Sequence, residues 1–217
     1  MIKAVLWDFG GVLTTSPFDA FNRYEAENGI PLDFIRGINA TNPTTNAWAQ
    51  FESSQISVEA FDGAFLDESS AAGHPIGGRH VIELLSGELR PRMVDALRAC
   101  KARFKVACLT NNVKSGEGPG MARSAERAAR IAGVMELFDV VIESSKEGIR
   151  KPNPQFYVLA CEKLAIEPDE AVFLDDLGIN LKPARALGMT TIKVESEEQT
   201  LRELHEAVGI PLADGAD

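Results

Sequence analysis

An aspartate closes the first apolar run of the chain. Residues 5–14 have the sequence VLWDFGGVLT, in which Asp8 follows a hydrophobic stretch and precedes two glycines. An apolar run bounded by paired glycines predicts a short buried strand that ends at Asp8. The carboxylate at that end is a capping residue, a defect in the core or a reacting group.

Polar side chains also end two later predicted strands. Thr110 ends the stretch FKVACLT and Asn111 follows it, and Asp175 and Asp176 end the stretch AVFLDD. Ligands of open parallel sheets bind outside the carboxyl ends of the strands. Neighbouring buried acids resist joint ionisation, and a divalent cation relieves that cost. Asp8, Asp175 and Asp176, with carbonyl and water oxygens, would provide the oxygen-rich site that Mg²⁺ prefers.

Each of these residues also has an ordinary structural explanation. A single acid after a strand caps the next helix or turn, and Asp176 could serve only as the N-cap of the following helix. Thr110 and Asn111 suit the start of a loop. Lys151, in the stretch GIRKPNP, is a solvated surface lysine when taken alone. The four elements together favour a functional site more strongly than any one of them does.

Alternating strands and helices would position these residues. Four short apolar strands separated by helices follow Arg90, and the first strand makes five. This alternation predicts an α/β fold with a parallel sheet and helices on both faces. The later predicted strands cover 104–110, 139–144, 171–176 and 190–194, and the predicted helices cover 91–103, 120–132 (ended by Gly133), 154–164, 180–187 and 197–208.

The stretch between the first strand and Arg90 does not follow this alternation. Aromatic residues at helical spacing predict one helix after Ser16 and another after Ser57, with 69–78 as a flexible connection. The predicted division is a catalytic core of residues 1–14 and 91–217 and a helical insertion of residues 15–90.

Composition narrows the class of protein. The formal net charge is −10 and no dense basic cluster is present, which argues against nucleic acid or an anionic membrane as the partner. The three cysteines lack metal-ligand spacing and are expected to be buried free thiols. No basic-then-apolar segment precedes the first strand, and no apolar run approaches the ~18 residues of a membrane span. We therefore expect a cytoplasmic protein, as a monomer or a homodimer.

The order of the motifs resembles that of the haloacid dehalogenase superfamily. That order is strand-Asp, strand-Thr-Asn, Lys-Pro before a helix, and strand-Asp-Asp, on a Rossmann-like sheet. The resemblance covers nearly the whole chain and is strongest over 109–194, while the insertion takes the place of the family's cap domain. The stretch FLDDLGINLKPARALGMTTIKV is especially similar to the N-terminal phosphatase domain of soluble epoxide hydrolases and to related bacterial hydrolases.

The resemblance implies a Mg²⁺-dependent phosphatase acting on a small phosphorylated metabolite, such as a sugar phosphate. Asp8 would be the nucleophile that forms an aspartyl-phosphate. The implied metal ligands are Asp8, the carbonyl of Gly10 and Asp176. Asp175 would be an adjacent second acid, and Asn180 would orient the loop that carries these acids.

The same resemblance assigns the phosphate site. Thr110 and the backbone N–H of Asn111 would hold phosphoryl oxygens, and Lys151 would balance the charge on the nucleophile and the phosphate.

One departure from the family pattern concerns the proton transfer. Phosphatases of this superfamily usually carry a second Asp where this chain has Gly10. A positioned acid or base contributes roughly 10²–10⁴ in rate. Three explanations fit the glycine. Another group from the insertion, or water, transfers the proton in place of the aspartate, or the substrate has a good leaving group that needs little protonation. Alternatively, the protein is slow or is an inactive binding protein. A 2-haloacid dehalogenase is a further alternative, but the acid pair counts against it because those relatives need no metal.

Overall fold

Five parallel strands form one sheet in the computed structural model, which describes residues 1–85, 87–112 and 125–212. The strands are β1 (Ala4–Trp7), β2 (Lys105–Thr110), β3 (Val140–Glu143), β4 (Ala171–Asp175) and β5 (Thr190–Lys193). Their order in the sheet is β3-β2-β1-β4-β5, and every pairing is parallel. The predicted α/β architecture is confirmed.

Strand β1 lies at the centre of the sheet, and the order of the strands reverses beside it. All four of its residues are fully buried, as expected for a strand with helices on both faces. In the register, Trp7 is the partner of Cys108 on β2 and of Leu174 on β4. Residues that follow these three therefore emerge together at the carboxyl edge of the sheet.

Five helices lie in the described part of the insertion, between β1 and residue 90. They are α1 (Pro17–Glu27), α2 (Phe34–Ala40), α3 (Ala47–Glu52), α4 (Val58–Ala71) and α5 (Gly78–Leu84). Ser16 and Ser57 are the N-caps of α1 and α4, as the sequence predicts. We call α1–α5 the inserted helices.

The inserted helices have a hydrophobic cluster of their own. Phe51 stacks on Phe61 with ring centroids 4.4 Å apart, and the Phe65 ring lies 5.5 Å from that of Phe61. The chain enters and leaves this unit through adjacent segments, where Thr15 N–H donates to the carbonyl of Glu88 at 2.7 Å. This arrangement places the inserted helices over the carboxyl edge of β1.

Helices on the two faces of the sheet complete the fold. They are α6 (Pro91–Lys101), α7 (Ala125–Met135), α8 (Ser144–Glu147), α9 (Pro154–Leu164), α10 (Gly178–Ala186) and α11 (Glu197–Val208). Val5 and Trp7 face the cluster that contains residues of α6, α7 and α11, whereas Ala4 and Leu6 face the cluster of α9 and α10. Alternate residues of one strand thus supply both cores.

Some predicted boundaries are wrong. Helix α7 continues through Gly133 because Val134, just beyond it, is buried in the core, and the predicted start of this helix at residue 120 lies outside the described residues. The expected flexible connection over 69–78 begins inside α4. There the buried Ser69 hydroxyl accepts from the N–H of Ile76 at 2.9 Å and donates to its carbonyl, which closes a packed turn.

The cysteines and the helices bear on two further predictions. All three cysteines are buried free thiols, as predicted. Within the described ranges, no helix combines the length and the apolar character needed to cross a membrane.

Candidate active site

Three carboxylates meet where β1 and β4 end side by side. The N–H of Asp8 extends the sheet by donating to the carbonyl of Leu174 at 2.9 Å. Asp8, Asp175 and Asp176 each have a carboxylate oxygen within 4.8 Å of the others. Their closeness follows from the parallel register and from the position at which the strand order reverses.

Lys151 lies between two of these acids. Its Nζ is 2.9 Å from Oδ1 of Asp8 and 2.7 Å from Oδ2 of Asp175, and its side chain is completely buried. The alternative that Lys151 is a solvated surface residue is therefore wrong. A buried ammonium between two carboxylates is one of the few arrangements in which such charges tolerate burial.

Asn111 fixes the backbone that carries this lysine. Its side-chain amide donates to the carbonyl of Lys151 at 3.0 Å, and its Oδ1 accepts from the N–H of Lys151 at 2.9 Å. The sequence indicated only a phosphate-binding backbone N–H at this position. The side chain thus has a second task, which is to couple the end of β2 to the lysine loop.

The next residue anchors the same loop to β3. The N–H of Asn112 donates to Oγ of Ser144 at 3.0 Å, and its side-chain amide donates to Glu143 at 2.7 Å. All three side chains are buried. These contacts hold Thr110, the last residue of β2, at the carboxyl edge of the sheet.

Asp175 is engaged on both carboxylate oxygens. Oδ1 accepts from the N–H of Leu177 at 2.8 Å, Oδ2 accepts from Lys151, and the Asn180 side chain donates to both oxygens at 3.0 Å. The Tyr157 hydroxyl in turn donates to the carbonyl of Asn180 at 2.6 Å. Asp175 and Asn180 therefore orient the loop between β4 and α10.

Asp176 does not cap the helix that follows it. The N-cap of α10 is Leu177, without a side-chain capping bond. Gly11 adopts φ +77°, and a Cβ on it would lie 2.2 Å from Oδ2 of Asp176. The second glycine of the pair is therefore needed for close approach to this carboxylate.

Gly10 differs from its neighbour. A Cβ built on Gly10 meets no atom within 4 Å, and the residue lines the cavity described below. The missing second aspartate thus corresponds to open space in front of Asp8.

The electrostatics of the cluster show an excess of negative charge. Burial raises the pKa of Asp8 well above its usual range, Lys151 opposes this shift, and the charges on Asp175 and Asp176 add to it. Burial and the charge on Asp175 raise the pKa of Asp176 to about 6. Burial alone would lower the pKa of Lys151, but the two carboxylates outweigh it and raise the pKa.

This donor set fits a divalent cation. Three carboxylates face one ammonium, so a second positive group is needed before all the acids ionise comfortably. The contacts to Asp8 from Lys151 and from the N–H of Phe9 are both made to Oδ1. Oxygen-only ligands at this spacing suit Mg²⁺.

A cavity of about 470 Å³ opens in front of the acids. Its lining includes every predicted site residue except Asp175, which is completely buried. The predicted site residues in its lining are Asp8, Gly10, Thr110, Asn111, Lys151, Asp176 and Asn180. The structure thus brings together residues that are up to 172 positions apart, from Asp8 to Asn180.

The inserted helices reach this cavity through an ion pair that the sequence did not reveal. Arg150 pairs with Glu52 at the end of α3 and donates from Nη2 to the carbonyl of Pro43 at 3.1 Å. The Ser144 hydroxyl donates to the carbonyl of Glu52 at 3.1 Å. The position of Arg150 beside Lys151 was the only local signal, since Glu52 lies 98 residues away in the chain.

Comparison with known proteins identifies the family. The model of the haloacid dehalogenase-like hydrolases matches residues 2–188. The chain belongs to the haloacid dehalogenase-like hydrolases. The expected similarity to the phosphatase domain of epoxide hydrolases is confirmed by bifunctional epoxide hydrolase 2 of Sus scrofa, which is 30% identical over 97% of this chain and 40% of its own length. The chain spans less than half the length of the first curated relatives that it matches.

Other similar proteins match over nearly their whole length. The sesquiterpene phosphatase of Aspergillus oryzae is 27% identical, over 95% of this chain and 97% of its own. A haloacid dehalogenase-family enzyme of Bacteroides thetaiotaomicron, solved in complex with magnesium and inorganic phosphate, is 19% identical with a TM-score of 0.57, covering 89% of this chain and 94% of its own. The latter shows the shared fold of these hydrolases.

Proposed function

We propose that this hydrolase is a Mg²⁺-dependent phosphatase that cleaves a small phosphomonoester through an aspartyl-phosphate on Asp8. The observation that carries the proposal is the buried ammonium of Lys151 between Asp8 and Asp175, at the end of a cavity also lined by Thr110 and Asp176. Relatives named as phosphatases support the same class of reaction.

Asp8 is the proposed nucleophile. One carboxylate oxygen forms a bond to phosphorus as the bond from phosphorus to the leaving oxygen breaks, and water then releases inorganic phosphate and restores the carboxylate. Lys151 contacts Oδ1 of Asp8, which orients the carboxylate and favours its ionised form.

Thr110 and Asn111 are the proposed phosphate-binding residues. The Thr110 hydroxyl and the N–H of Asn111 lie at the end of β2, in the lining of the cavity. Donors fixed before the substrate arrives stabilise developing charge without reorganisation. The Asn111 side chain maintains this arrangement because it pins Lys151 to the same loop.

The proposed Mg²⁺ ligands are Asp8, Asp176 and the carbonyl of Gly10. Asp175 and Asn180 would orient the loop that bears Asp176. When bound, Mg²⁺ neutralises charge on the phosphoryl oxygens and the carboxylates.

Water is the proposed proton donor to the leaving oxygen. Among the described residues that line the cavity, the acids are Asp8, Asp176 and Glu52, and Glu52 is engaged by Arg150. Gly10 leaves space for a solvent molecule where a second aspartate would otherwise stand.

The inserted helices are proposed to act as a cap. Residues 15–90 form the cap in this proposal, and residues 1–14 and 91–217 form the catalytic core. The cap closes one side of the cavity and selects the organic part of a small phosphorylated metabolite. Three buried free thiols support a reducing compartment, the cytoplasm.

Hydrolysis of p-nitrophenyl phosphate with and without Mg²⁺ tests the proposal. We expect turnover that requires the metal and that falls at least about 10³-fold in Asp8→Asn, since the nucleophile itself is lost. Asp95→Asn, which alters an exposed surface acid, is the matched control. Full activity of Asp8→Asn, or halide release from 2-chloropropionate without metal, would contradict the proposed reaction.

A further inference from the structure

We propose that the cavity selects phosphomonoesters whose organic group is largely hydrocarbon. This inference rests on the proposed phosphatase function and adds the class of substrate. The cavity has a charged end, formed by the acids and Lys151, and a second region beyond it that the inserted helices and α10 enclose. The expected preference for a hydrocarbon group follows from the side chains that line this second region.

Apolar side chains form most of the second region. They come from both sides of the cavity, so an organic group that extends from the phosphate would contact hydrocarbon on both sides. The apolar lining residues here are Pro17, Phe18, Phe21, Ala40, Pro43, Trp48, Leu85, Pro152, Leu177 and Ile179.

The charged side chains of this region already have partners. Glu52 and Arg150 pair with each other. Arg36 lies 4.4 Å from the centre of the Phe18 ring and pairs with Asp33 at 2.9 Å. The guanidinium of Arg36 therefore adds a flat face to the aromatic wall while its charge is balanced outside it.

Few neutral polar side chains remain to bind a polyhydroxylated group. Within the described lining beyond the charged end, they are Thr14, Asn39 and Thr44, and the Thr14 hydroxyl already donates to the carbonyl of Thr15 at 3.1 Å. A sugar transferred from water into this region would lose hydrogen bonds that three side chains do not replace. A hydrocarbon group carries no such cost and gains from burial.

Ile179 is an independent sign of an apolar ligand. It lies in the first turn of α10 with 57% of its surface exposed, and it lines the cavity. The other exposed large apolar residues in the described part of the chain, Met1, Leu32 and Leu66, do not line it. A hydrocarbon group in the cavity would cover Ile179 and remove this apolar surface from water.

The size of the cavity suits such a substrate. A volume of about 470 Å³ falls within the range of pockets that enclose a drug-sized ligand. Phosphate fills only a small part of that volume, so space remains for a chain of many carbon atoms. Each fully buried methylene group improves binding roughly fourfold.

A series of n-alkyl monophosphates from ethyl to decyl, below their aggregation concentrations, tests the inference. The leaving group has the same chemistry throughout, so only burial of the chain changes. We expect kcat/KM to rise at least about fivefold for every two methylene groups until the cavity is filled. A change of less than twofold over the whole series, or a preference for glucose 6-phosphate over decyl phosphate, would overturn the inference.

Ile179→Ala locates the effect in the cavity. It should lower kcat/KM for decyl phosphate by about tenfold more than for ethyl phosphate, because apolar contact worth about two methylene groups is lost for the long chain only. Leu66→Ala, on a residue 41% exposed and outside the lining, is the control and should leave the ratio unchanged. Equal ratios in both variants would contradict the assignment.

A binding measurement separates this inference from the proposed reaction. Non-hydrolysable decyl and ethyl phosphonates are titrated without Mg²⁺, and binding is followed by the fluorescence of Trp48 with Trp48→Phe as the blank. Decyl phosphonate should bind at least about 100-fold more tightly. Tight binding without turnover of any phosphate would refute only the reaction, whereas turnover with equal binding of the two phosphonates would refute only the apolar selectivity.

Discussion

The two walls of the cavity are built on different principles. On the sheet side, Asp8, Asp175 and Lys151 are buried and joined to each other and to the backbone by direct contacts, and the half-buried Asp176 lies beside them. On the side of the inserted helices, apolar rings and one ion pair to Arg150 face the same space. The charged wall has little freedom because an unpaired buried charge is costly, whereas apolar packing tolerates many substitutions of similar volume. Chemistry is therefore assigned to one wall and selection of the organic group to the other.

The largest effect is expected from removal of the charge at the centre of the sheet-side wall. Lys151→Met leaves Asp8 and Asp175 buried without their shared ammonium, so the free energy of unfolding should fall by roughly 3–5 kcal/mol. Urea denaturation in EDTA measures it. Lys193→Met, which breaks an exposed pair with Glu195, should cost at most ~1 kcal/mol. Equal losses in the two variants would show that the buried cluster does not depend on Lys151.

The paired glycines offer a second comparison on the same wall. Gly10→Asp enters open space without a left-handed backbone, and the new carboxylic acid should raise kcat for ethyl phosphate about tenfold or more by donating a proton to the leaving oxygen. Gly11→Ala places a methyl group against Asp176 at φ +77°, and it should lower Mg²⁺ affinity and stability. Steady-state kinetics and calorimetric Mg²⁺ titration measure these changes.

An outcome in which Gly10→Asp is slower than the parent while Gly11→Ala is unaffected would contradict the separate roles of the two glycines.

The contact between the two walls should have an intermediate effect. A double-mutant cycle on Glu52→Gln and Arg150→Met should give a coupling free energy of about 1–3 kcal/mol in urea denaturation, because the pair is largely buried. The cycle on the exposed pair Lys163 and Glu147 is the reference, at 0.2–1 kcal/mol or so. Arg150→Met should also lower kcat/KM several-fold, since it loosens the cap beside Lys151. A coupling energy no larger than that of the surface pair would show that the ion pair does not join the two walls.

The smallest effect concerns the reactivity of the cysteine thiols, which one substitution should leave unchanged and another should increase. All three cysteines lie in the sheet-bearing part, and burial raises the pKa of Cys161 to about 11 and that of Cys100 to about 12. At pH 8 these thiols are protonated, so they react only slowly in the native state. Arg150→Met should leave their slow reaction with a thiol reagent unchanged, whereas Lys151→Met should accelerate it. Acceleration in both variants would mean that the two walls open as one unit.

Much of the fold follows from local patterns. Short apolar runs that end in polar residues located all five strands, Ser16 and Ser57 began helices where predicted, and the helix predicted over 154–164 is α9. Helix ends were less accurate: Gly133 did not stop α7, because burial of Val134 outweighs the local preference of glycine. Packing energy exceeds propensity at such positions.

The sequence by itself determined the order of the chemistry: an acid after the first strand, a threonine after the second, a lysine before a helix and two acids after the fourth. Only the tertiary structure decided how these groups divide the work. The reversal of strand order brings Asp8 beside Asp175, and Lys151 is buried between them. The side chain of Asn111 forms a hydrogen bond with the backbone of Lys151, 40 residues away in the chain. The apolar wall depended wholly on the fold, because helical spacing marks an apolar face without showing whether it covers a core or borders a cavity.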